Sequence, residues 1–195
     1  MKPLPVSPTR LFLAFLLCDP LSAMAAELTN LDALVLAAAQ GDVARVQRLI
    51  DLRVDVNEVS VRANGGVALV QAAASGNVAV MTTLVRAGAG IDAVDGRGER
   101  ALVVAAYGGR LNACKLLLSE GALATPKAGD RMSPLVAAAY GGEVGVVKAL
   151  LAAGASPHES DRSGRSPLVI AARAGNVEIV RALLDASRPD ANEVL

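Results

Sequence analysis

Large aromatic side chains are nearly absent from this chain of 195 residues. It has no tryptophan, two phenylalanines and two tyrosines, although 53% of its residues are hydrophobic. Much of that hydrophobic content is alanine, so a core must form by close backbone approach and by packing of aliphatic side chains. Tyr107 and Tyr140 lie in two copies of the segment AAYGG, at 105–109 and 138–142, which indicates an internal repeat.

Residues that commonly carry catalysis or bind metals are also scarce. His158 is the only histidine, and it lies in the predicted turn GASPHES. Without a histidine–cysteine cluster there is no zinc site, and no glycine-rich phosphate loop follows a strand. Carboxylates such as Glu159 and Asp161 recur at turn positions, and pairing them as an acid–base dyad would be arbitrary. We therefore predict no enzyme activity, no catalytic residue, no metal and no cofactor.

The segment 1–25 differs in composition from the rest of the chain. Lys2 and Arg10 precede the apolar run LFLAFLLC, and the small-residue site Ala23-Met24-Ala25 follows it. This order is typical of a cleaved secretory signal peptide.

Charges in the whole chain balance, with 19 Lys and Arg against 19 Asp and Glu, so nothing points to nucleic acid.

The apolar run is short and stops at Asp19-Pro20, whereas a membrane-spanning helix needs about 20 apolar residues. We expect cleavage after Ala25 and a periplasmic or secreted mature chain with no membrane contact. Cys114 would then be its one cysteine, without an internal disulfide. The alternatives are an uncleaved anchor and a lipoprotein acylated at Cys18, which Leu17 disfavours because a small residue usually precedes that cysteine.

Five glycines set the period of the repeat. They are Gly41, Gly76, Gly109, Gly142 and Gly175, and their spacing is constant except for a slightly longer first step. An alanine pair lies four and three positions before each glycine, a leucine seven before it, and an apolar residue five after it, followed by an apolar pair. Agreement of these registers across five copies indicates stacked units that share a continuous core.

Each unit is predicted to fold as two short helices. Ser133 and Ser166 stand before Pro-Leu as N-caps of first helices. The repeat glycine ends the first helix because it adopts the left-handed cap without steric cost. The second helix of the fifth unit is expected to begin at Asn176. Its apolar face holds Val177, Val180, Leu183 and Leu184. A further glycine closes the second helix in three units, at Gly88, Gly121 and Gly154.

At this point the sequence resembles the ankyrin repeat family. The resemblance rests on MSPLVAAAYGGEVGVVKALLAAGA and GRSPLVIAARAGNVEIVRALL, and it covers about residues 29–192. It implies an all-α, L-shaped solenoid of five helix-turn-helix units with β-turn fingers. We place the units at about 31–63, 64–97, 98–130, 131–163 and 164–192, after a signal peptide at 1–25.

The sequence departs from the family pattern at the start of the first helix, where the family usually has Thr-Pro-Leu-His. Valine stands at the histidine position of every unit, at Val35, Val70, Val103, Val136 and Val169. The threonine position reads Asp32, Val67, Arg100, Ser133 and Ser166. We expect apolar packing to replace the family's threonine–histidine hydrogen bonds. The first finger is two residues longer, and Ser187-Arg188-Pro189 replaces the closing glycine, which suits a terminal cap with a frayed end.

The resemblance places partner binding on the concave face, which finger tips and first-helix ends form. Tyr107 and Tyr140 occupy the same slot of adjacent units, so we expect their rings side by side, about 10 Å apart. Gly108 and Gly141 beside them should leave the rings unobstructed. Tyrosine is enriched among residues that dominate binding energy. The alternative is that each ring only covers the first helix of its neighbour.

Charged finger residues suggest a mildly basic edge that faces an acidic or mixed protein surface. The basic ones are Arg62, Arg97, Arg100, Lys127, Arg131, Arg162 and Arg165, and the acidic ones are Asp95, Glu99, Asp130, Glu159 and Asp161. The predicted partner-binding residues are Tyr107, Tyr140, Arg97, Glu99, Asp130, Met132, Arg162, Arg165 and Arg173.

We therefore predict an exported, monomeric module that binds a protein partner, not nucleic acid or a small-molecule substrate. The chain resembles periplasmic bacterial ankyrin proteins that are associated with catalase and support resistance to peroxide. It also resembles immunity proteins that block a secreted toxin. A thiol-based redox sensor using Cys114 and a purely structural spacer are the other classes. Because Cys114 stands where other units have core residues, we expect it to be buried and inert.

Overall fold

The computed structural model describes residues 29–60, 65–126 and 130–187, which fold into ten α-helices arranged as five pairs. A tight turn connects the helices of each pair. The helices are α1 (Asn30–Gln40), α2 (Val43–Asp51), α3 (Ala68–Ser75), α4 (Val78–Arg86), α5 (Ala101–Tyr107), α6 (Leu111–Ser119), α7 (Pro134–Gly141), α8 (Val144–Ala152), α9 (Pro167–Arg173) and α10 (Val177–Ala186).

The pairs stack into two layers of helices. The first helices pack on one another in chain order from α1 to α9, and the second helices do the same from α2 to α10. Longer segments, which we call fingers, link consecutive pairs at 52–67, 87–100, 120–133 and 153–166. Antiparallel bridges between Ser60 and Gly66 and between Val94 and Arg100 close the first two fingers. This arrangement confirms the predicted all-α solenoid.

Alanine pairs form the contact between first helices. In the first four units both alanines of each pair are at most 2% exposed. The valines at the first helix are also buried in these four units, which confirms apolar packing at that position. In the fifth unit Ala172 and Val169 are exposed, because no described unit packs on that side.

The fifth unit lies at the end of the stack, and this corrects the apolar face that was expected for α10. Its buried residues are Ile179 and Leu183, whereas Val177 and Leu184 are exposed and Val180 is partly buried. An inner unit is covered on both sides, but here one side of the apolar stripe faces solvent. The predicted start of α10 is confirmed, since the Asn176 side chain accepts a hydrogen bond from the backbone N–H of Ile179 at 3.1 Å.

Left-handed residues end the helices as predicted, with one substitution. The five repeat glycines have φ between 68° and 79°, and Gly88, Gly121 and Gly154 have φ between 86° and 90°. In the first unit Arg53 takes this closing position with φ 63°. A side chain in the left-handed region costs about 1 to 2 kcal/mol, and Arg53 stands where the second, third and fourth units avoid that cost with glycine.

Polar contacts, not only apolar packing, hold the starts of the first helices. Ser133 and Ser166 cap α7 and α9 by accepting from Val136 N and Val169 N. Thr29 and Asp32 form a capping box at α1, and the Ser60 hydroxyl donates to the Asp32 carboxylate. The predicted Ser133 and Ser166 caps are therefore confirmed, and the contact between Ser60 and Asp32 is a polar partner that the sequence did not indicate.

The residue after the repeat glycine ties consecutive units together. Its side chain donates to carbonyls at the end of the preceding unit's first helix. These bonds run from Asn77 to Ala38 (3.2 Å) and Ala39 (3.1 Å), from Arg110 to Ala74 (3.1 Å) and from Asn176 to Gly142 (3.0 Å). Glu143, at the same position of the fourth unit, has only acceptor atoms and offers no such bond.

Several sequence expectations fall outside the described residues. These are the signal peptide at 1–25 with Cys18, the finger residues Arg62 and Lys127, and the chain end beyond residue 187. Among the helices that the structure does describe, none is long and apolar enough to cross a bilayer.

Candidate protein-binding site

A cleft of about 400 Å³ opens between α5 and the fingers at 87–100, 120–133 and 153–166. Val103, Val104 and Met132 supply apolar lining, and Tyr107 lies in its wall. We call this the Tyr107 cleft. A smaller depression of about 240 Å³ is lined by Tyr140, Arg165, Arg173 and neighbouring apolar residues. Arg165 belongs to both, so the two hollows adjoin.

The two hollows bring together eight of the nine predicted binding residues. Glu99, Tyr107, Asp130, Met132, Arg162 and Arg165 line the first, and Tyr140 and Arg173 line the second along with Arg165. Arg97 lies in neither lining. The structure thus places these residues on one continuous surface, and their role in binding stays a prediction.

The two tyrosines, although they occupy equivalent positions, have different surroundings. The Tyr140 hydroxyl donates to Asp161 Oδ2 at 2.9 Å, and the guanidinium carbon of Arg165 lies 5.4 Å from its ring centroid. Tyr107 has no hydrogen bond or cation contact from the described residues and is 59% exposed, against 36% for Tyr140. Tyr140 is therefore partly engaged by its own chain, whereas no described residue engages Tyr107 in this way.

Asp161 organises the finger at 153–166. It accepts hydrogen bonds from the backbone N–H groups of Ser163 (2.8 Å) and Arg165 (3.0 Å) and from Arg165 Nε (2.9 Å). The backbone bond from Arg165, more than the bonds from Tyr140 and Ser163, lowers the pKa of Asp161 to about 2. The carboxylate therefore stays ionised at any pH near neutrality.

Asp95 holds the finger at 87–100 in the same way. It accepts from Arg97 N (2.9 Å), Glu99 N (3.0 Å) and Arg97 Nε (3.1 Å). Arg97, like Arg165, is thus bound to the aspartate of its own finger and remains about half exposed, at 50% of its side chain.

Arg100 does not belong to the basic edge that was expected on the fingers. Its side chain is fully buried and donates to Asp92 (3.2 Å), to Asp130 (2.5 Å) and to the carbonyls of Leu123 (3.1 Å) and Thr125 (3.0 Å). It clamps the finger at 120–133 onto the finger at 87–100. Asp130 is accordingly taken up largely by Arg100, so it shapes the cleft more than it offers a free charge.

The glycines beside the tyrosines have a different role from the one expected. A Cβ atom added to Gly141 would lie well under 3.0 Å from the carbonyl oxygen of Tyr107, closer than real Cβ contacts come. Gly141 therefore allows α7 to approach the backbone of α5. At Gly108 the nearest atom to an added Cβ is Val104 O at 3.4 Å, which is ordinary contact.

Groups that carry covalent or metal chemistry do not gather here. Cys114 is fully buried, as expected, and burial raises the pKa of its thiol to about 12. The described residues hold no group of three His, Cys, Asp or Glu side chains that could bind a metal ion. His158 is a turn residue whose backbone N–H donates to Ser156 Oγ.

A phenol titration tests the Tyr140–Asp161 contact. The variant Tyr107→Phe leaves Tyr140 as the chain's one phenol, so ultraviolet absorbance follows it alone. Partial burial and then the hydrogen bond to Asp161 raise the pKa of Tyr140 above its ordinary value of 10.0, and the positive charges of Arg165 and Arg173 oppose this only in part. Adding Asp161→Asn should lower that pKa. Equal values in the two variants would show that the contact is not kept in solution.

Comparison with known families agrees with this geometry. The family described as ankyrin repeats (3 copies) matches residues 34–128 and 102–193. The two matches cover most of the sequence, and the chain belongs to the ankyrin repeat family. A search of curated proteins found no match. Ankyrin repeats support a protein–protein interaction module.

Proposed function

We propose that this chain binds a protein partner through its concave face, with the Tyr107 cleft at the centre of the contact. The observation that carries the proposal is the exposure of Tyr107. Large aromatic side chains are very rare in this chain, yet this one is 59% exposed beside a cleft of about 400 Å³. A tyrosine gives a large, stiff and amphipathic contact surface, which is why it recurs at binding hot spots.

The chemistry of the other candidate classes has less support. A thiol sensor needs an accessible thiolate, but Cys114 is buried and its pKa is raised to about 12. A purely structural spacer would give no reason for an exposed tyrosine beside a cleft. A solenoid's extended surface suits recognition, because side chains from several units contribute to one continuous face.

Within this proposal the finer role is that of an exported protein that supports peroxide resistance together with catalase. Its support is the pattern of the segment 1–25, which is typical of a signal peptide, and the resemblance to exported ankyrin proteins. Inhibition of a secreted toxin is the competing role. The neighbouring genes separate the two, since a catalase gene favours the first and a secreted effector gene the second.

Affinity capture tests the binding function. The bait is the full-length chain, tagged and processed in its own host, and Tyr107→Ala and Tyr140→Ala variants run in parallel. We expect a stoichiometric partner that Tyr107→Ala weakens strongly and Tyr140→Ala weakens less, because Tyr140 is already engaged by Asp161.

Circular dichroism and melting temperature serve as the control, since both rings are at least one third exposed and should contribute little to folding. A stability collapse in Tyr107→Ala would show that the ring is structural. A partner captured equally by all three forms would place the contact elsewhere on the fingers, and capture of no partner would contradict the proposed function.

A further inference from the structure

The fifth unit shows how this surface binds a carboxylate. Asp161 accepts from the Tyr140 hydroxyl at 2.9 Å and pairs with Arg165 at 2.9 Å, while the Arg165 guanidinium also covers the Tyr140 ring. A phenol donor, a guanidinium and a carboxylate thus form one compact group. Hydrogen bonds to an ionised acceptor are about twice as strong as neutral ones, so the arrangement is a favourable one for this surface.

The preceding unit has the phenol but not the carboxylate. When the two AAYGG segments are aligned, Asp161 and Arg165 of the later unit correspond to Ala128 and Met132 of the earlier one. The Tyr107 hydroxyl therefore lacks the acceptor that Tyr140 has. Met132 lines the Tyr107 cleft together with Tyr107 itself.

The uncompensated charges of the cleft favour an anion. Arg165 is paired with Asp161, and Arg100 is buried against Asp130 and against Asp92, which lies outside the lining. The arginines of the lining that have no ion pair among the described residues are Arg131 and Arg162, and both are exposed. Over the described lining the four arginines stand against three carboxylates, Glu99, Asp130 and Asp161, a formal balance of +1. The concave shape of the site strengthens electrostatic attraction.

We propose that the Tyr107 cleft receives an aspartate or glutamate side chain of the partner. The carboxylate of that side chain binds the Tyr107 hydroxyl as the Asp161 carboxylate binds the Tyr140 hydroxyl. The carboxylate accepts from the Tyr107 hydroxyl and is attracted by Arg131 and Arg162. An aliphatic residue next to it in the partner packs on Val103, Val104 and Met132. This inference rests on the proposed function and specifies the chemistry of the partner's contact segment.

Other occupants fit less well. A basic segment would bring its charge toward two uncompensated arginines. A nucleic acid depends on many phosphate contacts, which a local balance of +1 does not supply. A purely apolar segment would leave the Tyr107 hydroxyl and both arginines without partners, and burying them so is costly.

Blocked peptides test the inference on the full-length chain without the natural partner. The probe is acetyl-Gly-Ser-Leu-Glu-Leu-Ser-Gly-amide, and matched peptides carry Gln or Lys in place of Glu. Binding is followed by NMR titration at low salt. We expect saturable binding of the Glu peptide and about tenfold weaker binding of the Gln peptide, since the lost charge-assisted hydrogen bond is worth about one decade.

Matched variants locate the site. Tyr107→Phe removes one hydroxyl and should weaken the Glu peptide about tenfold, whereas Tyr140→Phe should weaken it clearly less, because that hydroxyl is already bound by Asp161. Arg162→Gln and Arg131→Gln should weaken binding, and Glu99→Gln should strengthen it. These side chains are exposed, or partly buried in the case of Glu99, so the variants are expected to fold.

Three results would overturn the inference. The first is equal affinity of the Glu and Gln peptides, and the second is tighter binding of the Lys peptide than of the Glu peptide. The third is no saturable binding of the Glu peptide at concentrations up to about 5 mM, which would detect a Kd of about 1 mM. The proposed function fails separately. If affinity capture yields a partner that depends on Tyr107 while the Glu peptide does not bind, the binding function stands and the carboxylate contact falls.

Discussion

Replacing Arg100 by methionine is expected to destabilise the protein by about 3 to 5 kcal/mol, the usual cost of removing one partner from a buried ionic group. Methionine keeps the length and the apolar part of the side chain, so the loss is mainly electrostatic. The change removes the guanidinium that pairs with the carboxylates of Asp92 and Asp130 and that donates to the carbonyls of Leu123 and Thr125. The Asp130 side chain is only 9% exposed, so water cannot fully replace Arg100.

This cost does not mean that the Arg100 group contributes the same amount to folding. Arg100 Nε is buried without a partner, so even the native group is incompletely satisfied. Buried ionic groups often contribute little net stability, because desolvation offsets the attraction between the charges. What the substitution measures is the free energy of removing the Arg100 contacts with two carboxylates and two carbonyls between the fingers at 87–100 and 120–133.

Arg97→Met is the matched control in the same finger. Arg97 also pairs with an aspartate, but half of its side chain is exposed, and Asp95 keeps two backbone hydrogen bonds without it. We expect a loss of about 1 kcal/mol or less. Urea denaturation of both variants, followed by circular dichroism, gives the comparison. Similar losses would show that Arg100 is hydrated in solution and does not clamp the two fingers.

The periodic features of the fold could be predicted because they depend on local sequence. A helix needs only a cap, an apolar stripe and a stop signal, and each repeat unit carries these within its own length. Five aligned copies then identified the buried alanines and the left-handed glycines. Arg53 escaped prediction because an arginine gives no local signal for a left-handed backbone, and the repeat register was the one available indication.

Burial of Arg100 could not be predicted from local sequence. Its partners lie 8, 23, 25 and 30 positions away along the chain, in two fingers that meet only in the folded stack. The one indication in the sequence is the position of Arg100 in the repeat. The other units have shorter side chains there, at Asp32, Val67, Ser133 and Ser166. Long polar side chains at an otherwise buried repeat position require partners, and the finger carboxylates were the nearest candidates.

The candidate site was predictable in outline and not in detail. The common slot of Tyr107 and Tyr140 follows from the period, but their different environments depend on which residues occupy equivalent positions of the fingers that follow them. Comparing Asp161 with Ala128 would have separated the engaged tyrosine from the exposed one. The role of Gly141 depends on the distance between two helices, which a sequence does not specify.

Gly141→Ala and Gly108→Ala should therefore have opposite effects. Both glycines have backbone conformations that alanine adopts. Replacing such a glycine by alanine normally stabilises a protein by up to about 1 kcal/mol, because the unfolded chain has less conformational freedom. We expect that gain or a near-neutral result for Gly108→Ala. At Gly141 the new Cβ would collide with the carbonyl oxygen of Tyr107, and forcing α5 and α7 apart should destabilise the protein by about 2 to 3 kcal/mol.

The position of this contact in the stack gives a second readout. Glu143 cannot donate the side-chain hydrogen bond that the equivalent residues make at three other junctions, so close packing of α5 and α7 couples the third and fourth units. Weakening one junction of a solenoid uncouples the units on either side. Tyr107 and Tyr140 lie on opposite sides of it, so Tyr140→Phe and Tyr107→Phe backgrounds report each half by tyrosine fluorescence. Gly141→Ala should separate the two unfolding midpoints, and midpoints that stay coincident would contradict this account of the junction.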